Sequence, residues 1–277
     1  MNWPAQSLRP ATLITGASSG IGAALAHVFA ANGHELLLVA RRQPLLDEIA
    51  DGIAATGAPR PHVLPLDLTH ARDGAGIGAA APIGKTLAGL GLEPQYVVNN
   101  AGFGLLGDVA QLDREEQLAM IDLDVRVLAE LSLAFLDSLS RRRGGILNVG
   151  SVAGFLPGPG MATYYACKAF VLSFSEALHQ ELRARGIRVT VLCPGPVETE
   201  FQSRAGIKTM SGSQFLACSA DKVAADGYSG LMRGQRVVVP GAFNKLVTLL
   251  PRIMPRGLFL RAVAHSHSDW AKPARQK

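Results

Sequence analysis

Tyr164 and Lys168 stand four residues apart in Tyr164-Tyr165-Ala166-Cys167-Lys168. On a helix that spacing puts both on one face. A free tyrosine titrates near pH ~10, too high for proton transfer at neutral pH. A nearby ammonium and a helix N-terminus both lower it. Taken alone, the pair reads more simply as a packed Tyr beside a surface Lys. Ser151 follows the apolar run 145–149, where a strand end meets a cleft. A third group is the turn Thr15-Gly16-Ala17-Ser18-Ser19-Gly20-Ile21-Gly22. Its glycines permit a tight turn and let a pyrophosphate reach backbone N–H groups at a helix start. The spacing is Gly-x3-Gly-x-Gly, not the GxGxxG dinucleotide fingerprint. The same residues match GxSxG, which would make Ser18 a hydrolase nucleophile. Only 17 residues precede Ser18, too few for the strands and oxyanion loop that such an elbow needs. Gly84-Lys85-Thr86 is no P-loop, because position 79 is Ala where a Gly is required.

Five motifs occur in order: the Gly16–Gly22 turn, Asn99-Asn100-Ala101-Gly102, Ser151, Tyr164-x3-Lys168 and Pro194-Gly195. Together they resemble the short-chain dehydrogenase/reductase family, in its shorter single-domain branch, over about residues 10–240. The resemblance implies an oxidoreductase that interconverts a carbonyl and an alcohol by hydride transfer. It implies Tyr164 as the general acid/base, Ser151 as hydrogen-bond partner of the substrate oxygen, and Lys168 as the group that lowers the Tyr164 pKa and holds the nicotinamide ribose. It further implies that Gly16, Ser18, Ser19, Gly20, Ile21 and Gly22 hold cofactor phosphates and that Asp67 and Leu68 flank the adenine. Asn100, Ala101 and Gly102 would line the cofactor path, and Pro194, Gly195, Val197 and Thr199 would seat the nicotinamide.

One position departs from the family pattern. Ile121-Asp122-Leu123-Asp124-Val125 carries Asp124 where relatives usually have an asparagine that holds a relay water. Three readings are open: Asp124 pairs with Lys168 and relays protons, it raises the Tyr164 pKa and slows the enzyme, or it marks a cofactor-binding regulator with little turnover. The first is favoured.

An acid at the end of the second strand would select NAD, whereas arginine suits a 2′-phosphate. Here the strand ends in Ala40-Arg41-Arg42, so the expected cofactor is NADP(H), with Arg41 the first contact and Arg42 the second. Phe103, Leu105, Phe155, Leu156, Met161 and the segment 200–217 are the expected substrate pocket and lid. Their apolar character points to a lipophilic small molecule.

The elements that must position these groups follow from periodicity. Strands are expected at 11–15, 34–40, 62–66, 96–99, 145–149, 187–192 and 236–239. Helices are expected after the glycine turn and at 44–56, 113–139, 162–185 and 221–233, with 71–91 poorly patterned and 195–219 loop-rich. The strands are short, continuously apolar runs, as in a parallel sheet buried on both faces. The expected fold is therefore α/β: a doubly wound, Rossmann-type, seven-stranded parallel sheet in a single domain.

Hydrophobic residues make up 48% of the 277 and charged ones 18%, enough for a large core and against disorder. Three cysteines, Cys167, Cys193 and Cys218, without CxxC spacing, exclude a disulfide scaffold and a zinc ribbon. No signal peptide is visible at Met1-Asn2-Trp3-Pro4 and no uncharged apolar run reaches a membrane-spanning length, so a cytoplasmic protein is expected. Of 27 Lys/Arg and 22 Asp/Glu, seven and one fall in 241–277, leaving 20 and 21 in a nearly neutral body, which argues against nucleic-acid binding. The basic, apolar extension 241–277 has three open placements: on an anionic membrane, over the pocket, or on a second subunit. Packing on the body or on a partner subunit is favoured, with Pro251 and Pro255 expected to prevent one long helix. His265 and His267 are too few for a metal site. Association through 113–139 and 162–185, into a homodimer or homotetramer, is expected from the resemblance.

Overall fold

A computed structural model describes residues 8–70, 78–206 and 217–253, and five single positions between 257 and 264. Residues 1–4, the 71–77 part of the poorly patterned stretch, the 207–216 part of the expected lid, and His265 and His267 lie outside the described residues.

The described strands are β1 (Arg9–Thr15), β2 (Glu35–Ala40), β3 (His62–Pro65), β4 (Leu92–Asn99), β5 (Gly145–Val149), β6 (Arg188–Leu192) and β7 (Val237–Val238). They form one parallel sheet in the order β3-β2-β1-β4-β5-β6-β7. The helices are α1 (Gly20–Ala31), α2 (Gln43–Ala55), α3 (Ala80–Gly89), α4 (Arg114–Ile121), α5 (Leu128–Ala134), α6 (Leu136–Arg141), α7 (Ala162–Glu181), α8 (Glu200–Arg204), α9 (Ala220–Met232) and α10 (Ala242–Ile253).

Successive residues of one strand feed opposite cores. Leu36 and Leu38 of β2 join Leu25 and Phe29 of α1 and Leu231 of α9 on one face. Leu37 and Val39 join Ile83 of α3, Leu131 of α5 and Leu178 of α7 on the other. All these side chains are buried. That double burial is why the strand sequence has no polar face.

Several elements differ from the periodicity. β1 and β4 begin earlier than expected, at Arg9 and Leu92, because they pair along their whole length. The 113–139 helix is interrupted. Asp113 caps α4 by accepting the Glu116 amide at 2.8 Å, but Asp122–Val127 forms a wider π-helical turn, and the chain breaks again at Phe135 (φ −112°). The 195–219 loop contains α8. α10 includes Pro251 and is described to Ile253, while Pro255 lies outside the described residues.

The strand order reverses direction between β1 and β4, the point where open α/β sheets leave a crevice at their carboxyl ends. Thr15, Ala40, Asn99, Val149 and Leu192 are those carboxyl ends.

Candidate active site

A cavity of about 1230 Å³ opens over these strand ends. The loop after β1 makes its first wall. Gly16 and Gly20 have left-handed backbones, φ +64° and +55°. A Cβ on Gly16 would lie 2.8 Å from the Ala101 Cα, and one on Gly20 would lie 2.9 Å from the Thr199 Cγ2. Gly22 does not reach the cavity. It sits beneath the turn, where a Cβ would be 2.3 Å from the Gly16 carbonyl oxygen. Asn100 ties this turn to β4: its Nδ2 donates to the carbonyls of Thr15 (3.0 Å) and Gly16 (3.1 Å). Thr15 Oγ1 accepts the Ala101 amide at 3.1 Å. The glycines thus leave a cradle that any side chain would fill, at the start of α1, where N–H groups are unpaired. The cradle suits a dinucleotide pyrophosphate.

Arg41 and Arg42 stand at the end of β2 on the same wall, with Asp67 and Leu68 beside them. Arg42 Nη2 pairs with Glu200 Oε2 at 2.6 Å and donates to Ser18 Oγ (3.3 Å) and Ser19 Oγ (3.2 Å). Arg41 has no carboxylate partner among the described residues.

Ser151, Tyr164 and Lys168 converge on the opposite wall. Ser151 follows β5, and its Oγ accepts the Ala153 amide at 3.1 Å. α7 presents Tyr164 and Lys168 one turn apart, with the ammonium 5.6 Å from the phenol ring centroid. Lys168 Nζ donates to the Val149 carbonyl at 3.3 Å and pairs with Asp124 Oδ2 at 3.0 Å. Asp124 is fully buried behind the wall, and its Oδ1 accepts the Phe103 amide at 3.1 Å. Gly102 must lack a side chain here, since its Cβ would be 2.9 Å from Asp124 Oδ1.

The electrostatics follow from burial and pairing. Burial pushes the Tyr164 phenol above its ordinary value; the Lys168 cation and a hydrogen bond with Ser151 pull it back, while the Asp124 charge adds to the rise. Burial works most strongly against the Lys168 ammonium, but the Asp124 carboxylate together with Tyr164 and Cys167 holds the lysine above its usual range. Burial raises Asp124, opposed first by Lys168. The Cys167 and Cys193 thiols are pushed up to about 12 by burial, so neither is a nucleophile at neutral pH.

Of the expected pocket residues, Phe103, Leu105 and Met161 line the cavity. Phe155 and Leu156 do not. Phe155 ends a short 3-10 turn beyond Ser151 and Leu156 follows it in extended backbone; Phe155 packs away from the cavity against the apolar cluster that includes Leu128, Val171 and Val191. Pro194, Gly195, Val197 and Thr199 form the cavity floor after β6.

The family model described as short chain dehydrogenase matches residues 10–209. The chain belongs to the short-chain dehydrogenase family. This dehydrogenase is 40% identical over 191 residues to a sulfoacetaldehyde reductase of Chromohalobacter salexigens, covering 68% of this chain and 72% of that one. It is similar to a short-chain dehydrogenase from Sphingobium yanoikuyae solved in complex with NADPH (31% identity, TM-score 0.72, 96% of this chain and 97% of that one). It is also similar to a bulky-bulky ketone specific alcohol dehydrogenase from Comamonas testosteroni (26% identity, TM-score 0.70, 98% and 96%). As a family member it is an oxidoreductase of alcohols and carbonyl compounds that binds a nicotinamide cofactor.

The described part of the expected 200–217 lid also reaches the dehydrogenase site. The Phe201 ring lies 5.4 Å from the Tyr164 ring, and the Arg204 guanidinium 4.4 Å from the Phe103 ring. Glu116 and Leu123 line the same cavity. No motif marks Glu116 or Leu123 as pocket residues.

Proposed function

We propose that this chain is an NADP(H)-dependent carbonyl reductase and alcohol dehydrogenase acting on a lipophilic small molecule through Ser151, Tyr164 and Lys168. The observation that carries the reading is the convergence of those three side chains on one cavity whose far wall holds the glycine cradle and Arg41. When bound, the nicotinamide supplies or accepts the hydride at its C4. The Tyr164 hydroxyl gives its proton to the carbonyl oxygen in reduction and takes it back in oxidation. Ser151 Oγ holds that oxygen. Lys168 stabilises the phenolate, and Asp124 keeps Lys168 cationic and linked to the proton path. Phe103, Leu105, Met161 and Phe201 make the apolar wall that supports a lipophilic substrate.

Residues 1–240 form the dehydrogenase domain in this reading and 241–277 an extension. Asn244 of α10 supports packing of that extension on the body: its side chain is buried against Gly195 on the cavity floor. Leu118, Ile121, Leu133 and Phe170, exposed on α4, α5 and α7, support association of copies through these helices.

The cofactor assignment is tested by fluorescence titration. NADPH is expected to bind more tightly than NADH, and Arg41→Ala to weaken NADPH roughly 10–100-fold, the size of a charge-assisted contact of about 1.5–3 kcal/mol, with NADH little changed. NADH binding more tightly to the parent chain would overturn it.

The role of Asp124 has a pH signature. Its charge raises the Tyr164 pKa, and alcohol oxidation needs the phenolate. Asp124→Asn removes that charge while Asn can still accept the Phe103 amide. The acid limb of the oxidation rate profile is therefore expected to move to lower pH. A limb that stays in place would refute the coupling.

A further inference from the structure

α10 packs on the body with the wrong face for an ordinary surface helix. Its body-facing residues are polar: Asn244 and Thr248, one turn apart, are 1% and 8% exposed. Asn244 Nδ2 donates to the Pro240 carbonyl at 2.8 Å, and Thr248 Oγ1 to the Lys245 carbonyl at 2.8 Å. Its large apolar residues point out: Phe243, Leu246 and Leu249 are 50%, 55% and 50% exposed. Spaced three apart, they form one stripe on the side opposite Asn244. A surface helix normally turns its apolar stripe to the core, so this stripe requires an outside partner.

Charge selects that partner. Lys245 and Arg261 are exposed, and the segment 241–277 carries seven Lys/Arg against one acid, Asp269. A second copy seated on the same stripe would bring an identical cationic segment against this one, a like-charge contact that costs affinity. An anionic bilayer meets both features at once: the apolar stripe enters the headgroup boundary and the cations meet lipid phosphates. With 12 residues α10 is about 18 Å long, too short to span. No helix among the described residues is long and apolar enough to cross a membrane.

We propose that α10 lies flat on an anionic membrane surface through Phe243, Leu246 and Leu249 and holds the dehydrogenase there. Because Asn244 of the same helix packs against Gly195 at the cavity floor, the docked face and the active-site cavity are neighbours.

The test is cosedimentation of the full chain with sucrose-loaded vesicles of phosphatidylcholine plus phosphatidylglycerol, or of phosphatidylcholine alone. The chain is expected to sediment with the anionic vesicles, to bind the neutral ones at least tenfold less, and to be released by high salt. The triple variant Phe243→Ser, Leu246→Ser, Leu249→Ser is expected to lose vesicle binding by tenfold or more while keeping cofactor-linked activity and its circular dichroism spectrum. Lys245→Glu, which leaves the stripe intact, is expected to weaken anionic binding by several-fold. Absence of vesicle binding by the parent chain would overturn the proposal. So would equal binding by the triple variant, or a dimer that dissociates in the triple variant while the parent ignores vesicles. The last result would assign the stripe to a second copy.

Discussion

Tyr164→Phe is expected to lower kcat and kcat/KM together by about a thousandfold, while NADPH affinity stays within about twofold of the parent. The magnitude is that of losing one positioned general acid/base, about 10²–10⁴ in rate. The two parameters fall together because the proton moves only in the transition state. The variant deletes one oxygen and keeps the ring, which packs against Phe201 and shares an apolar cluster with Phe103, Met120 and Met161. Ser151, Lys168 and the glycine cradle remain, so cofactor binding has no reason to change. The measurement is NADPH consumption with aldehydes, bulky ketones and 3-oxoacyl thioesters, alongside a binding titration. Turnover within tenfold of the parent, on any substrate the parent reduces, would remove Tyr164 from the chemistry.

Lys168→Met is expected to cost about 3–5 kcal/mol of stability in addition to activity. Breaking one side of a buried ion pair leaves a buried charge uncompensated, and such losses have that size. Asp124 is 0% exposed and its Oδ2 faces Lys168 Nζ at 3.0 Å. Methionine replaces the stem of Lys168 but not its ammonium. The pH dependence follows from the same residue. Burial already raises the Asp124 pKa, and without the lysine it rises further. The deficit is therefore largest at neutral and higher pH, and it shrinks as pH falls and the carboxyl protonates. Lys168→Met combined with Asp124→Asn is expected to recover most of the loss, because no buried charge remains. Urea unfolding of the single and double variants across pH closes the cycle. A single variant as stable as the parent at neutral pH would show that the pair is not ionised.

The sequence by itself determined the layers, the strand count and the position of the cofactor turn. β2 reads as an unbroken apolar run because both its faces are buried, and the parallel, doubly covered sheet follows from that. Gly16 and Gly20 are legible because only glycine adopts their backbone without strain. Tyr164 and Lys168 are legible because i and i+4 share a helix face whatever the rest of the chain does. These are short-range facts.

Tertiary structure decided what depends on direction and on distant partners. Phe155 and Leu156 are apolar and follow Ser151 closely, yet the turn after Ser151 sends Phe155 into the apolar cluster of Leu128 and Val171, away from the cavity. Periodicity reports apolar character, not which cavity a loop side chain enters. Asp124 reaches Lys168, 44 positions along the chain, from a π-helical turn that no 3.6-residue pattern announces. Arg42 is held by Glu200 across 158 positions, which leaves Arg41 the cation without a carboxylate partner among the described residues on that wall. The inverted face of α10 was hidden for the same reason. Its sequence is plainly amphipathic, but which side meets the body was settled by Asn244 finding its place against the loops after β6 and β7, with Thr248 buried one turn on, leaving the apolar stripe outside.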